Sequence, residues 1–369
     1  MVERADVVVV GLGAMGSAAA RSLGRRGVRT IALERFRVGH ERGSSHGPTR
    51  IFRLSYPDPD YVRMAVLARE LWKELERDVG ETLLITTGGL DAGQAAEACA
   101  DALASADVHH RWLEQEECRR RYPGIAPADR VLFHEDAGVC LAERAVAGQV
   151  RLAAAAGVEI REEVDVLALR PRDDGVAVDT SGGPIEARAA IVTPGAWAKR
   201  ILDVPVTAAV QTVSYFRPRD PSDPWPTFIG WGEGSFAWYA VPQEGGAPGV
   251  KVAEHRPGPV VDPGDGPFDP DPVAIEAAAA YAAKRFPGLD PDPVASETCL
   301  YELTPDEDFV LDRSGPIVVG AGGSGHGFKF APLLGEVLTD LAQGRDPDVS
   351  AGRFSLSRFR GVAEPDHPA

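Results

Sequence analysis

The sequence predicts a mixed fold: an α/β, Rossmann-like nucleotide-binding domain, discontinuous along the chain, plus an inserted α+β substrate domain on a largely antiparallel sheet. Three observations carry this expectation. Residues 6–10, DVVVV, run straight into GLGAMG and an alanine-rich segment, the order strand, tight turn, helix. A second such unit, GPIVVGAG followed by a Gly-rich turn and APLLGEVLTDLAQG, stands near the other end. Between them, residues 208–255 read as antiparallel strands rich in aromatic side chains. At 369 residues the chain is long enough for two domains.

The unbroken apolar run at 6–10 marks a strand buried on both faces. SAAARSLGRRG forms a helix that stops at Gly27, and RTIALE (29–34) is the next strand. A polar, Gly-rich stretch (37–49) leads to TRIFRLSY, and residues 61–77 form an amphipathic helix. Residues 82–145 read as short strands such as TLLITTGGLDA, then an acidic helix near 114–121. AERAVAGQVRLAAAAGVEI is helix then strand, and 164–194 is strand, hairpin, strand. The Pro/Gly/Asp-rich residues 256–273 are a long loop, lid or linker, before a helix at 274–286. The expected nucleotide-domain segments are 1–85, 144–210 and 310–369; 86–143 and 211–309 form the substrate domain.

The apolar fraction of 44 % supports a large core. A net charge of −16 gives no basic footprint for nucleic acid or anionic lipid, so a small anionic substrate must meet locally placed Arg or Lys. Cys99, Cys118, Cys140 and Cys299 form no CxxC pair, which fits a reducing compartment. No apolar run reaches spanning length, Glu3 and Asp6 stand where a signal peptide carries positive charge, and EPDHPA bears no targeting tag; a cytoplasmic location is expected. No nucleophile elbow, HExxH or clustered Cys/His spacing supports a hydrolase or a metal centre.

Gly11, Gly13 and Gly16, with Ala14 and Met15 between the last two, spell G-x-G-x-x-G after a strand, and Glu34 ends the next strand about 20 residues on. The first glycine makes the tight turn, the second admits a pyrophosphate to the backbone N–H groups, and the third lets helix pack on sheet. Glu34 suits ribose hydroxyls and disfavours a 2′-phosphate, against NADP. The motif does not separate NAD from FAD; the hairpin insert at 164–194 favours a flavin oxidase by fold analogy.

GSSHGPTRIFRLSY (43–56) with the helix after it, TCLYELTPDEDFVLD (298–312) and VVGAGGSGHGFKFAPLLGEVL (318–338) closely resemble the amine-oxidising flavoprotein family of monomeric sarcosine oxidase, N-methyltryptophan oxidase and pipecolate oxidase. The middle, 86–143 and 216–273, resembles it only loosely. The resemblance implies FAD held covalently through Cys299 and oxidation of a secondary amine that carries a carboxylate. O2 would be the acceptor, with imine and hydrogen peroxide as products. It also implies cofactor contacts from Arg35, Ser44, Ser45, His46, Arg50, Ile51, Val164, Gly195, Trp197, Gly323, Gly325, His326, Gly327 and Lys329. A monomer acting on a small amino acid is expected, with a biosynthetic tailoring oxidase as a variant.

Arg53 and Lys329 are the expected carboxylate clamp: a planar fork and a point charge. Alone, an Arg in so acidic a chain is ordinarily a surface ion pair. Arg50 and Arg53, three apart on a strand, face opposite ways; the resemblance implies that Arg50 lies by the flavin and Arg53 by the substrate. Lys251 and His255, four apart, share a face; the family places such a lysine beside the flavin, where an ammonium stabilises superoxide, and His255 would face the substrate. Without that context, K-x-x-x-H reads as an exposed charged face. Trp238, Tyr239 and Tyr301 are candidates for an aromatic wall. His326 is read as structural. Cys299 alone would be a buried small hydrophobe; as the flavin attachment it needs a thiol pKa lowered by Arg50 or His46. The rivals are a flavin dehydrogenase that passes electrons to a protein or quinone, an NAD-dependent dehydrogenase, and a non-catalytic dinucleotide-binding protein.

Overall fold

The computed structural model describes residues 2–232, 237–347, 349 and 352–359. β1 (Glu3–Val10) pairs in parallel with β2 (Thr30–Leu33) on one side and β12 (Gly183–Val192) on the other. β9 (Glu159–Arg161) extends the sheet beyond β2, and β19 (Ile317–Ala321) with β18 (Val310–Ser314) extends it beyond β12. β10 (Val166–Arg172), β11 (Gly175–Thr180) and β12 form the expected antiparallel meander. α1 (Ala14–Arg25) packs between α5 (Ala142–Ala155) and α8 (Ala331–Ala342) over the Val7 and Val9 face of β1. Val8 and Val10 cluster on the other face with Val176 and Val178 of the meander. Burial on both faces is why β1 is an unbroken apolar run.

The turn after β1 has no room for side chains at two of its glycines. A Cβ on Gly11, whose φ is +87°, would stand 2.4 Å from the Thr193 carbonyl oxygen, and one on Gly16 would stand 1.8 Å from the Gly11 carbonyl oxygen. Helix and strand therefore meet at backbone contact, which points the first free N–H groups of α1 outward.

The second sheet runs β17 (Leu289–Leu303), β13 (Thr207–Pro218), β16 (Val250–Glu254), β15 (Trp238–Val241), β14 (Thr227–Trp231), β5 (Gly89–Gly93), β7 (Val131–His134), β6 (Arg111–Leu113). Its pairs are antiparallel apart from β14 with β5. α7 (Pro272–Arg285) covers one face, packing Tyr281 and Ala282 on Phe228, Trp238 and Ala240. A third sheet joins β3 (Thr49–Phe52), β8 (Gly138–Leu141) and β4 (Leu84–Thr86). α2 (Pro59–Val79) follows β3, capped by Asp58 and ended by left-handed Gly80. Among the described residues no helix is long and apolar enough to cross a membrane.

Several details differ from the sequence expectation. α3 (Ala96–Ser105) and α4 (Gln115–Arg121) both form in 82–145, where only the second was expected. The small residues of AEACADALAS give α3 little amphipathic contrast to read. β13 runs unbroken from Thr207, so position 210 lies inside a strand of the second sheet, and β8 pairs with β3 and β4 rather than with that sheet. The 256–273 loop holds one short 3-10 turn, Pro263–Asp265, and is fastened: Arg200 pairs with Asp262 at 2.9 Å, and Thr298 Oγ1 donates to the Phe268 carbonyl at 3.0 Å. A short α6 (Ala198–Ile201) supplies Arg200.

Substituting Gly16→Ala should destabilise the chain by at least about 1–3 kcal/mol, because neither contacting backbone can yield cheaply. The readout is a lower urea midpoint at unchanged m-value; an unchanged midpoint would show that the α1 turn shifts without cost.

Candidate active site

An elongated cavity of about 380 Å³ starts at the N-terminus of α1 and runs to β17. Gly11, Gly13, Ala14, Met15, Glu34 and Arg35 line one end, and Ser44, Ser45, His46, Arg50, Val164, Gly195 and Trp197 line its length. Cys299, Tyr301, Glu302, Gly323, Gly325 and Gly327 line the far part. Glu34 Oε2 accepts from the Leu12 N–H at 2.8 Å, its Oε1 from the Phe36 N–H at 3.0 Å, and His40 Nε2 stands 3.4 Å away. Burial pushes the Glu34 carboxyl pKa up, but His40 and those two N–H groups together hold it below the ordinary value. Ser45 Oγ accepts from the Ala14 N–H at 3.0 Å, and Arg35 pairs with Asp165 at 2.8 Å.

A second cavity of about 130 Å³ adjoins the first, and His46, Arg50, Cys299, Tyr301, Gly325 and Phe328 line both. Here Arg53 lies just past β3, with Cζ 4.0 Å from the Tyr56 ring centre and 5.0 Å from that of Trp231. Trp231 Nε1 donates to Asp91 Oδ1 at 2.8 Å. Lys329 Nζ donates to Tyr56 Oη at 2.9 Å and to the His326 carbonyl at 2.7 Å. Burial, then the nearby Arg53 charge, hold the Lys329 pKa well below its usual value. The third cation, Lys251, is buried; its Nζ donates to the Thr49 carbonyl at 3.3 Å and stands 5.2 Å from the Tyr215 ring centre. Burial and Arg50 bring its pKa down to about 8. His255 Nδ1 is 3.3 Å from Tyr301 Oη, and burial, Arg53 and Lys329 bring its pKa to about 4. Arg50 donates to the carbonyls of Ser44, His46 and Thr49 at 2.9, 2.7 and 2.8 Å. Among the described residues no carboxylate forms an ion pair with Arg50, Arg53, Lys251 or Lys329.

Residues 6–341 match the FAD dependent oxidoreductase (DAO) family. The chain belongs to this family. It is 37 % identical over 357 residues to monomeric sarcosine oxidase of Streptomyces avermitilis, covering 91 % of this chain and 93 % of that protein. To N-methyl-L-tryptophan oxidase of Escherichia coli it is 30 % identical over 378 residues, covering 96 % and 99 %. The fold superposes on NikD, an unusual amino acid oxidase essential for nikkomycin biosynthesis, with a TM-score of 0.85 at 27 % identity, covering 96 % of this chain and 97 % of that one.

The large cavity fits the family's cofactor. Ser44 Oγ, His46 Nε2, Trp197 Nε1 and Glu302 Oε2 all belong to residues lining it, and each is buried with no hydrogen-bond partner among the described residues. Buried polar atoms are ordinarily satisfied, so four orphans around one cavity mark a polar ligand. Among the described residues no cluster of three His, Cys, Asp or Glu could hold a metal ion.

Several expected placements need correction. Ile51, His326 and Lys329 line the smaller cavity, not the elongated one. His326 packs among Tyr56, Tyr61, Phe309 and Phe330, the structural role expected of it. Gly16 lines neither cavity; it is the packing glycine. Trp238 lines the smaller cavity, and its indole stacks on Tyr281, ring centres 4.3 Å apart and planes within 6°, in the core under α7. Its strand neighbour Tyr239 takes the opposite face, packs near Tyr215 and Ala253, and lines the smaller cavity. The Cys299 thiol is not lowered: burial raises its pKa, and Arg50 and Lys251 offset this only in part. Tyr56, Trp231, Asp91, Glu297 and Glu302 were not singled out from sequence. Tyr56 stands inside the GSSHGPTRIFRLSY match and Glu302 inside the TCLYELTPDEDFVLD match; Trp231, Asp91 and Glu297 carry no local signal.

Glu34→Gln should cost about 1–3 kcal/mol at neutral pH, since an amide cannot accept from both N–H groups. A carboxyl whose folded pKa is depressed stabilises above its unfolded value, and that stability is lost as pH falls through the folded value. The melting-temperature gap between wild type and variant should therefore narrow in acid. Parallel curves at every pH would remove the ionised carboxylate as the cause.

Proposed function

We propose that this protein is an FAD-dependent oxidase of an amino acid with a secondary amine, N-methyl or cyclic, producing an imine and hydrogen peroxide. One observation carries the reading: in a chain of net charge −16, Arg53, Lys251 and Lys329 line one small cavity beside the cofactor cavity and, among the described residues, hydrogen-bond only carbonyls and a phenol. Such a site favours anions. The names of the Streptomyces and Escherichia relatives supply the amine class, and NikD shows that the same fold serves a biosynthetic oxidase.

The bound flavin supplies the two-electron acceptor. Arg53, fixed between Tyr56 and Trp231, presents its guanidinium to the substrate carboxylate, and Lys329 adds its charge. A carboxylate between them also favours the charged form of Lys329. The same cations disfavour a protonated amine, and His255, neutral through burial, adds no further charge. The amine thus retains the lone pair that departure of hydride requires. Lys251, also buried, offers its ammonium to the charge that develops on O2. We assign the flavin attachment to Cys299; Arg50 and Lys251 favour the thiolate this chemistry needs.

Lys251→Met should slow reoxidation by O2 by about 10²-fold or more while changing anaerobic flavin reduction only a few-fold. Equal losses in both half-reactions would sink the assignment. Because the Lys251 pKa is lowered to about 8, its charge is present below that pH and lost above it; wild-type reoxidation should decline through this range, and the variant's should stay flat. Stoichiometric peroxide on turnover of N-methyl or cyclic amino acids separates an oxidase from a dehydrogenase. Acid-precipitated wild type should keep its yellow colour in the pellet, whereas Cys299→Ser releases free FAD; colourless wild-type pellets would overturn the Cys299 link alone.

A further inference from the structure

The cofactor cavity contains a carboxyl group with no assigned task. Glu302, near the end of β17, lies between two glycines of separate turns. A Cβ built on Gly323 would stand 3.0 Å from its Oε1, and one built on Gly195 would stand 4.0 Å from its Oε2. The N–H groups of Gly323 and Gly322 donate toward the carboxyl. Its Oε2 is fully buried and has no partner among the described residues. The residue is half-buried and lines the cofactor cavity. From Cys299 to Glu302 the extended strand advances about 10 Å, comparable to the long axis of an isoalloxazine ring.

We propose that Glu302 takes up a proton when the flavin is reduced and gives it up when the flavin is reoxidised. The surrounding elements bring it no compensating charge. The neighbours are Ala208 of β13, the Gly195–Trp197 turn and the Gly322–Ser324 turn, and none of them contributes a charge to its titration. On its own strand the titratable Cys299 and Tyr301 share the cavity, and Arg200 lines it from α6. Burial lifts the Glu302 pKa to about 7, against the two glycine N–H groups, so both protonation states are accessible at neutral pH. Negative charge added to the neighbouring ring system favours the protonated state.

The step balances. The substrate C–H bond breaks and its hydride carries two electrons and one proton to the flavin. One further proton moves from solvent to the Glu302 carboxylate and forms its O–H bond. Reduction of O2 to hydrogen peroxide needs two electrons and two protons; the hydride accounts for both electrons and one proton, and Glu302 supplies the other. This proposal rests on the FAD oxidase reading above.

The test is a redox titration of the flavin-loaded protein on both sides of neutral pH. For a two-electron couple each bound proton contributes about 30 mV per pH unit. Above about pH 7, where Glu302 is ionised before reduction, the wild-type slope should steepen toward about 60 mV per unit, whereas Glu302→Gln should stay near 30 mV per unit. Equal slopes overturn the proposal. If the variant does not fold or load flavin, wild type alone decides. Starting about one pH unit above the Glu302 pKa, its infrared difference spectrum on reduction should gain a protonated-carboxyl C=O band, and weakly buffered anaerobic reduction should take up about two protons per flavin from solvent and an artificial donor. A missing band or single-proton uptake overturns the proposal. Protein that never carries flavin overturns this proposal and the cofactor reading together. Flavin that binds and titrates but yields no peroxide with any amine overturns the oxidase reading, and leaves the slope to judge Glu302.

Discussion

The site depends on four cations held beside one another that, among the described residues, form no ion pair with a carboxylate, although Glu297 lines the same cavity. Arg50, Arg53, Lys251 and Lys329 hydrogen-bond backbone carbonyls and one phenol, although the chain carries a net charge of −16. Nearby carboxylates are occupied by uncharged donors: Glu34 by backbone N–H groups, Glu297 by the Tyr215 hydroxyl, Glu143 by the Gly47 N–H. Keeping like charges desolvated is costly unless an anion arrives. The fold therefore holds a pocket that favours anions.

The scaffold that holds these cations is rigid where it must be. Trp72, fully buried on α2, donates to the Lys329 carbonyl at 2.7 Å and so ties the Gly-rich turn to the helix behind it. Lys251 reaches from the second sheet to the Thr49 carbonyl of the third. β17 is the shared wall, with Cys299 and Tyr301 lining both cavities.

Much of this was legible from local signals. The unbroken β-branched run, the glycine spacing and Glu34 identify the nucleotide site because tight backbone contact leaves few residue choices. Arg53, Lys329, Lys251 and His255 were found through motif context, and the structure brings all four to one cavity. The packing of Trp238 was not legible for a particular reason. It lines the smaller cavity while its indole stacks on Tyr281 under α7. Successive strand residues face opposite sides, and without the register of β15 against α7 nothing in AWYAV says which aromatic faces inward. The Cys299 thiol failed for another: burial outweighs the cations on either side of it.

The sequence by itself determined the fold class, the dinucleotide fingerprint and the residue types around the chemistry, since each rests on short-range constraints of backbone space and periodicity. Only the tertiary structure decided which groups are desolvated and whom they face. Glu302 is an ordinary surface-type residue in a linear reading, but it sits under two glycine turns more than 120 positions apart. Lys251 could equally have lain on a solvated strand face, and packing against β3 buried it instead. Burial and charge proximity are sums over the whole fold, and no local stretch encodes them.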